Sequence, residues 1–265
     1  MFSEERRKNI FEMVQKEGRV LAKDLADQFN VSIDSIRRDL SLLEKERLVK
    51  RTHGGAIPYP DARTKPHPPH LRYSEGNPFQ HAIAKKAASY IQKDQTLFIG
   101  GAAIHYVMLN YLPEKINFTV VTNSVELAYE LRHRDHIQTF LIGGSVKSSG
   151  NMTDMLANEF LQHFHFDLCF ATAGGISAKG LSTATPEVAI FHKNVFDRSR
   201  QVIALIEHTK FGVDMFSSMS SLNELNLIIT DDGVDNDHLQ EIETLGTEII
   251  IEKGGSSNDR SEKNV

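Results

Sequence analysis

Seven short apolar segments alternate with helical patterns through residues 96–251, and this alternation limits the fold more than any other feature. Valine, isoleucine and phenylalanine dominate the segments with little polar alternation, so we expect both faces of each strand to be buried. Strands separated by helices predict a mostly parallel sheet covered on both sides. The predicted strands are 96–99, 118–122, 139–143, 168–172, 202–206, 227–230 and 248–251, and the predicted helices are 80–92, 124–132, 153–164, 187–200 and 236–245.

A proline-rich stretch separates this α/β pattern from the first part of the chain. Five of the eight prolines lie between Pro58 and Pro69, and each one fixes φ and removes a backbone donor. Such a stretch is typical of a semi-rigid linker, and the polar sequence KGGSSNDRSEKNV is typical of a disordered tail. The sequence therefore predicts a head over 1–57, a linker over 58–74, an α/β body over 75–252 and a tail over 253–265.

Composition excludes several classes of protein. The single cysteine, Cys169, excludes a disulfide framework, and no run of 18 apolar residues is present to cross a membrane. The charged start MFSEERRKNI is unlike a secretory signal. The histidine pairs at 133/136 and 163/165 lack cysteine or acidic partners at metal-ligand spacing. We therefore expect a cytoplasmic protein without a metal, a cofactor or a membrane partner.

The first 57 residues contain three helical patterns. Residues 4–16 and 21–29 carry apolar residues at helical spacing, and Ser32 is a good N-cap for a third helix that runs to about Glu46. A tight turn between the second and third helices is the arrangement of a helix-turn-helix. The segment LVKRTHGGA then predicts a strand, a Gly-Gly turn and a returning strand.

The third helix carries candidate DNA contacts on the face opposite its apolar stripe. That stripe consists of three residues at helical spacing, Ile36, Leu40 and Leu43. Arg37 and Arg38 point away from it, and arginine can donate two parallel hydrogen bonds to guanine or clamp a phosphate. The alternative is a solvated face on which these arginines pair with Asp34 or Glu44, but the helix-turn-helix frame favours DNA. The candidate DNA-binding residues are Ser32, Ser35, Arg37, Arg38, Lys45, Lys50, Arg51 and His53.

Charge is divided between the two parts of the chain. Residues 1–57 hold 12 basic and 10 acidic residues, a net charge of +2, whereas the remainder holds 18 and 25, a net charge of −7. A head with so small an excess binds a polyanion weakly on its own, and pairing two heads raises the effective concentration. We therefore expect a homo-oligomer, a dimer or a tetramer.

Polar and glycine-rich loops follow four of the predicted strands. Parallel α/β sheets bind ligands at the carboxyl ends of their strands, and glycine lets backbone N–H groups approach an anion. The loops are GGAA at 100–103, TNS at 122–124, GGS at 143–145 and ATAGG at 171–175, and Lys210 adds a cation after a fifth strand. These features indicate a site for a small phosphorylated metabolite. The alternative is that the glycines serve only tight turns.

The head resembles a known family. VSIDSIRRDL at 31–40, LE at 43–44 and RTHGGA at 51–56 are similar to the N-terminal signature of the DeoR family of bacterial transcriptional regulators, and the resemblance runs across residues 6–57. It implies a winged helix-turn-helix whose third helix reads double-stranded operator DNA. It also implies a repressor of a sugar or related carbon-metabolism operon rather than an enzyme.

The body resembles the same family over roughly residues 80–232. KKAASYIQKDQTLFI, VVTNS, LIGGSV, GLSTATPEVA, HTKFG and LIITDDG are similar, in order, to landmarks of its sensor domain. The resemblance implies a Rossmann-like α/β fold related to ribose-5-phosphate isomerases, and a phosphorylated sugar or sugar-like effector. Carried over by position, the effector contacts are Gly100, Gly101, Ala102, Ala103, Asn123, Ser124, Gly143, Gly144, Glu187 and Lys210.

The loop after the first strand departs from the family pattern. Members usually have Asp-Ser/Gly-Gly-Thr-Thr at this place, whereas this chain has GGAAI at 100–104. The acidic residue is absent, and so are both threonine hydroxyls. Glu207 stands where aspartate is usual, three residues before Lys210. Because the TNS loop, the second Gly-Gly loop and Lys210 are retained, we expect a changed effector rather than none.

An alternative function is a sugar-phosphate isomerase or hydrolase that carries a helical head. Such an enzyme needs a general base at a strand end. The first strand-end loop offers no carboxylate, which leaves Glu187 and Glu207 as candidates. The sequence favours the regulator, with no catalytic residues.

Overall fold

The computed structural model of this 265-residue chain describes residues 3–17, 19–45, 48–52, 54–59, 73 and 75–254. They divide into two units, Met1–Asp61 and Ala62–Val265. Most of the predicted linker at 58–74 and nearly all of the predicted tail at 253–265 lie outside the described residues, so both stay predictions. No helix in the described part of the chain is long and apolar enough to cross a membrane.

The described residues of the first unit form three helices and a three-stranded antiparallel sheet, in the order β1-β3-β2. The three predicted helices and the strand–turn–strand after them are confirmed, whereas the two-residue strand β1 is too short for a sequence pattern to reveal. The elements are α1 (Ser3–Glu17), β1 (Val20–Leu21), α2 (Ala22–Phe29), α3 (Ile33–Lys45), β2 (Val49–Thr52) and β3 (Gly55–Pro58).

Local residue chemistry sets the boundaries of these elements. Asn30 ends α2 in the left-handed region, with φ of 51°, which asparagine tolerates better than most residues. The backbone N–H of Ser35 donates to Ser32 Oγ at 3.2 Å, so Ser32 is the N-cap of α3 as predicted. A Cβ at Gly55 would lie 1.8 Å from the carbonyl oxygen of Val20, so only glycine lets β3 pair with β1.

The second unit is built on a seven-stranded parallel sheet, in the order β13-β12-β10-β7-β4-β5-β6. Its strands are β4 (Thr96–Ile99), β5 (Phe118–Thr122), β6 (Ile137–Leu141), β7 (Leu168–Ala171), β10 (Val202–Leu205), β12 (Leu227–Asp231) and β13 (Ile249–Glu252). Helix α4 (Pro78–Ala88) precedes the first strand, and the helices between the strands are α5 (Ala103–Met108), α6 (Val125–Leu131), α7 (Met155–Leu161), α8 (Pro186–Phe196) and α9 (Asn236–Glu243). This confirms the predicted fold class.

The strand order places a topological switch point beside β4. The chain adds β5 and then β6 on one side of β4, and returns to add β7 on the other side. Open α/β sheets bind ligands in the crevice outside the carboxyl ends of the strands at such a point. The loops that follow Ile99 and Ala171 therefore flank the expected binding crevice.

Two apolar layers cover the sheet. Phe98, Phe166 and Phe191 belong to the core on one face, and Ile99 and Phe170 belong to the core on the other. The central strands β7, β10 and β12 are buried throughout, as expected. The expectation of two buried faces is wrong for β6, which lies at the edge of the sheet and whose last two residues are exposed.

Several elements of this unit carry no clear sequence pattern. A small antiparallel sheet, in the order β11-β9-β8, follows the carboxyl end of β7. Its strands are β8 (Gly175–Ser177), β9 (Gly180–Thr183) and β11 (Ser217–Ser220), each of three or four residues. The sequence also fails to predict α5, which is only six residues long. The predicted strand 139–143 lies two residues earlier, at 137–141.

Candidate functional site

Helix α3 presents a buried apolar face and an exposed basic face. Its predicted apolar stripe is buried, and Arg37 and Arg38 are exposed, as the helical spacing predicts. Arg37 Nη1 lies 3.3 Å from Asp34 Oδ1, and these side chains are 61% and 71% exposed. An exposed pair of this kind contributes only about 0.2–1 kcal/mol. Arg37 can therefore exchange Asp34 for a phosphate or a base with a small loss.

A third arginine is fixed beside this face by strand β2. Arg51 Nη1 donates to Ser41 Oγ at 2.9 Å, and the Arg51 backbone N–H donates to Glu44 Oε1 at 2.7 Å. Ser41 lies one turn after Arg37 and donates its hydroxyl proton to the Arg37 carbonyl at 2.8 Å. These contacts join the strand pair and α3 into one surface.

The acidic residue next to Arg38 faces the interior. Asp39 is 3% exposed, and Arg6 Nε donates to Asp39 Oδ2 at 2.6 Å. Arg7 Nη1 lies 3.7 Å from the other carboxylate oxygen. Within Arg-Arg-Asp-Leu, the two arginines are therefore exposed and available to a partner, whereas the aspartate connects α3 to α1 through its ion pair.

The remaining candidate DNA contacts lie around the two ends of α3. The hydroxyls of Ser32 and Ser35 are 2.9 Å apart at its start, and the exposed Lys45 is its last residue. Lys50 lies on β2 and is half-buried. His53 lies outside the described residues.

In the second unit, the loop after β4 packs tightly against a later segment of the chain. Asn151 Nδ2 donates to the Gly101 carbonyl at 2.9 Å. A Cβ at Gly101 would lie 1.9 Å from Asn151 Oδ1 and 2.8 Å from Ser124 Cβ. Glycine at 101 therefore serves a close approach between loops, which explains one of the two glycines in the sequence GGAA.

Two asparagine side chains present acceptor oxygens at this edge. Asn123 Nδ2 donates to the Met152 carbonyl at 3.0 Å, and this hydrogen bond orients the side-chain amide. The amide oxygen, Asn123 Oδ1, takes no part in it. Among the described residues, Asn123 Oδ1 and Asn151 Oδ1 are buried and accept no hydrogen bond. The large majority of buried polar atoms in proteins have a hydrogen-bond partner, so these two oxygens are candidate acceptors for a hydroxyl or amine of a bound molecule.

A lysine, a threonine and a glutamate form a hydrogen-bonded group in the same part of the chain as Asn151. Lys147 Nζ is 2.7 Å from Glu187 Oε1 and donates to Thr153 Oγ1 at 2.6 Å. The Thr153 hydroxyl donates to Glu187 Oε1 at 3.1 Å. Glu187 is thus neutralised by Lys147 and oriented by Thr153.

Lys210 supplies a second cation at the carboxyl ends of the strands. It ends a short 3₁₀ turn, His208–Lys210, that follows β10, and its side chain is half-buried. Within the described ranges, no carboxylate lies within ion-pair distance of its ammonium. Lys210 is therefore available to an anion.

A neutral histidine lies beneath the loop at 100–102. His105 is buried and its Nδ1–H donates to the Gly100 carbonyl at 2.7 Å. Burial lowers the pKa of His105 to about 4, an effect that the Gly100 hydrogen bond opposes and that the nearby His192 and Lys210 reinforce. Burial likewise lowers the pKa of His192 to about 4. Both imidazoles are thus uncharged at neutral pH.

Gly143 and Gly144 follow strand β6, and none of the other candidate contacts lines the same cleft. They line a cleft of about 340 Å³ together with Leu156, Glu159, Phe160 and His163. The Asp154 carboxylate connects the Gly143–Gly144 turn to α7, because it accepts hydrogen bonds from the backbone N–H groups of Ser145 and Ala157. These hydrogen bonds hold the pKa of Asp154 below its usual value.

Comparison with known proteins identifies the two units. A family model described as the DeoR-like helix-turn-helix domain matches residues 6–59, and one described as the DeoR C terminal sensor domain matches residues 79–232. An uncharacterized HTH-type transcriptional regulator of Bacillus subtilis, YulB, is 31% identical over 89% of this chain and 91% of its own length. The chain belongs to the DeoR family. It is a DNA-binding transcriptional regulator.

Two other relatives are named as repressors. The glycerol-3-phosphate regulon repressor of Escherichia coli is 29% identical over 86% of this chain and 90% of its own length. The repressor GlcR of Bacillus subtilis is 29% identical over 87% and 89%, respectively. Among solved structures, ribose 5-phosphate isomerase A from Methanocaldococcus jannaschii is 13% identical, covers 49% of this chain and 52% of its own, and gives a TM-score of 0.37. A TM-score this low adds nothing to the description of the fold, which depends on the strand order given above.

The sequence prediction for this DeoR-family chain omitted one segment of the site. Lys147, Asn151 and Thr153 all lie in VKSSGNMT, between β6 and α7. This segment forms a bridge with Ser124 and hydrogen bonds with the loop after β4. A polar run after a strand was the criterion for the other loops, and the same criterion would have found this one.

The lowered pKa values of His105 and His192 predict a pH dependence of stability in this DeoR-family sensor. Their pKa is about 4 in the folded state and near 6.5 when unfolded, so the unfolded state binds more protons between those values. The free energy of unfolding should fall as pH drops from 6.5 to 4, by up to roughly 1.4 kcal/mol per pH unit for each histidine. Denaturant unfolding at pH 4.5, 5.5 and 7 measures this slope.

A pair of variants assigns that slope to its source. His192→Leu removes one titrating group with a lowered pKa and should reduce the slope, whereas His165→Gln changes an exposed histidine and should leave the slope as in the wild type. An unchanged slope in His192→Leu would show that His192 does not carry the effect.

Proposed function

We propose that this chain represses a carbon-metabolism operon and that a small phosphorylated metabolite sets its affinity for operator DNA. The relatives' names support the class of operon, since they include repressors of a glycerol-3-phosphate regulon and of a lactose phosphotransferase system. The single observation that carries the effector part is Lys210, a half-buried ammonium without an ion pair among the described residues, at the carboxyl ends of parallel strands.

The proposed DNA surface is the outward face of α3 with the strand pair beside it. Arg37 and Arg38 read bases or clamp phosphates, and Arg51, held by Ser41 and Glu44, contacts the backbone of the duplex. The other proposed contacts are Ser32, Ser35, Lys45, Lys50 and His53.

The proposed effector site lies at the switch point of the sheet. Lys210 binds the anionic group, and the oxygens of Asn123 and Asn151 accept from hydroxyls of the same molecule. Glu187 has a positioning role, because Lys147 already neutralises it. We retain Gly100, Gly101, Ala102, Ala103, Asn123, Ser124, Glu187 and Lys210 from the sequence, and add Lys147 and Asn151.

The effector assignment is tested by ligand-induced stabilisation. Glycerol 3-phosphate, glucose 6-phosphate, fructose 1-phosphate and inorganic phosphate are the probes, and a probe at 100 times its dissociation constant should stabilise the chain by about 2.7 kcal/mol. Lys210→Ala should abolish that stabilisation, because the charged hydrogen bond to the anion is lost. The matched control is Lys93→Ala, whose lysine is 68% exposed and contacts Asp94. Equal stabilisation of Lys210→Ala and wild type would exclude Lys210 from the site.

We propose that the chain has no enzymatic turnover. Both carboxylates considered as general bases are engaged in the structure, Glu187 by Lys147 and Glu207 by Asn77 and Gln80. A general base must instead reach a substrate proton. A turnover assay on aldose and ketose phosphates tests this, and a rate that Glu187→Gln abolishes would favour the isomerase or hydrolase.

We propose that a second copy of this chain packs on the surface formed by the edge strand β6 and helix α7. Strand β6 has the sequence IQTFL, with no charge or proline to block edge pairing. Apolar side chains are exposed on both elements, namely Phe140, Leu141, Met155, Leu156 and Phe160, and Phe164 connects the rings of Phe140 and Phe160 at 5.7 Å each. An exposed patch of this kind marks an interaction surface.

Sedimentation velocity tests the oligomer. Phe160→Asp should shift the chain to monomer, because it places a charge in the interface. Leu245→Asp, at a leucine that is also exposed but lies at the end of α9, should leave the distribution unchanged. A wild-type monomer, or an oligomer that Phe160→Asp leaves intact, would contradict this interface.

A further inference from the structure

The chain segment that enters the sensor contacts two loops of the proposed effector site. We propose that Tyr73 and the segment Glu75–Gln80 transmit effector binding toward the head, with Tyr73 as a positioning residue that responds to Ser124 and Tyr106. This inference rests on the proposed function and adds a route of regulation to it. It concerns one of the last residues of the predicted linker, which ends at 74, and the residues that lead into and begin α4.

Tyr73 contacts helix α5 and the loop after β5. Its ring stacks on that of Tyr106, with centroids 4.9 Å apart and planes at 25°. Its hydroxyl is 3.4 Å from Ser124 Oγ. Ser124 is buried, caps α6 and approaches Gly101. A ligand hydroxyl that bonds Ser124 therefore competes with Tyr73 for the same oxygen.

The residues after Tyr73 are rigidly attached to the sensor. Gly76 has φ of +83°, and a Cβ there would lie 2.5 Å from Val107 Cγ2, so its backbone packs directly on α5. His81 Nε2–H donates to the Glu75 carbonyl at 2.7 Å, and His81 Nδ1 accepts from the Tyr111 hydroxyl at 2.8 Å. These contacts fix the start of α4, so Tyr73 is the contact that can change when a ligand binds Ser124.

A second contact connects the same segment to the turn that carries Lys210. Glu207 Oε1 accepts from Gln80 Nε2 at 3.1 Å, and Glu207 Oε2 accepts from Asn77 Nδ2 at 3.4 Å. Asn77 and Gln80 also form the capping box of α4. The Lys210 backbone N–H donates to the Glu207 carbonyl at 2.9 Å. An anion at Lys210 thus places negative charge on the turn whose carboxylate holds the start of α4.

These two contacts satisfy the requirement for coupling. A ligand shifts a conformational equilibrium only by contacts that differ between the two states. The Tyr73–Ser124 contact differs between the free and the ligand-bound sensor, because the ligand and Tyr73 use the same Ser124 hydroxyl. By linkage, removing Tyr73 should weaken the effect of effector on DNA and of DNA on effector equally.

The test compares Tyr73→Ala and Tyr73→Phe with Tyr129→Ala, a control at a tyrosine that is 60% exposed on α6. Operator affinity of the full chain is measured by fluorescence anisotropy with and without the phosphorylated probes named above, and probe binding by calorimetry. We expect probe to change wild-type operator affinity about tenfold or more. Tyr73→Ala should still bind probe but lose most of that change, Tyr73→Phe should lose part of it, and Tyr129→Ala should behave as wild type. A full wild-type response in Tyr73→Ala overturns the inference and leaves the proposed function intact.

A second readout keeps the two proposals separable. If no probe affects wild-type operator binding, the proposed effector class fails, and amide hydrogen exchange decides the inference. Tyr73→Ala should then raise exchange at residues 103–106 and at Leu127, whose N–H donates to Ser124 Oγ, while Tyr129→Ala should leave residues 103–106 unchanged. Unchanged exchange at these amides in Tyr73→Ala overturns it.

Discussion

Replacing Arg37 and Arg38 together with alanine should weaken operator binding by about 100-fold or more. Each arginine that bonds a base or a phosphate is worth about 1–3 kcal/mol, and both side chains are exposed on α3. The slope of log affinity against log salt should also become shallower, by about one for each phosphate that the variant no longer neutralises. Anisotropy on a duplex that the wild type selects from a random pool, at three salt concentrations, measures both quantities.

The control for this variant is an arginine of similar exposure in the sensor. Arg200 is 86% exposed beside Asp167, and Arg200→Ala should retain wild-type affinity and salt slope. The double variant should keep the wild-type far-ultraviolet circular dichroism, because neither arginine packs in the core. Wild-type affinity in the double variant would refute the assignment of α3 as the DNA reader.

The second large effect concerns the ion pair between α1 and α3. Arg6→Ala should destabilise the head by about 3–5 kcal/mol, since it leaves the buried carboxylate of Asp39 without its closest partner. The double variant Arg6→Ala/Asp39→Leu should recover part of that loss, because an apolar side chain can replace a buried pair. Hydrogen exchange of the amides of α1 and α3 in the full chain reports the stability of the head alone.

Arg7→Ala is the matched control for that substitution. Arg7 is the neighbouring residue, and its nitrogen is 3.7 Å from Asp39, against 2.6 Å for Arg6. Its loss should lower the stability of the head by about 1 kcal/mol or less. If Arg6→Ala and Arg7→Ala had the same small effect, Asp39 would not depend on Arg6.

Most of the fold could be predicted from apolar residues that repeat at helical spacing and from strands that are apolar throughout. The third helix could be placed because Ser32 caps it and Ile36, Leu40 and Leu43 repeat at its period, and the structure confirms both. The parallel sheet could be predicted because its central strands are apolar on both faces. The three-residue strand β8 and the two-residue strand β1 were missed because sheet pairing, and not a local pattern, creates such short elements.

The site was less predictable than the fold because it depends on contacts between distant loops. Sequence could identify Asn123 and Lys210 as polar residues after strands. It could not show that Asn151 returns to Gly101, 50 residues earlier, or that Glu187 is neutralised by Lys147. Nor did the Arg-Arg-Asp-Leu motif reveal that Asp39 turns inward, because its partner Arg6 lies 33 residues away.

The most direct measurement is operator binding by the wild type and Lys210→Ala across a titration of phosphorylated metabolites and their unphosphorylated counterparts. We expect at least one phosphorylated compound, and no unphosphorylated one, to change wild-type operator affinity about tenfold or more, and Lys210→Ala to bind the same duplex without responding. If the same compound shifted both proteins equally, Lys210 would have no part in sensing. If the wild type showed no preference for any duplex over random DNA, the helix-turn-helix head would not be an operator reader.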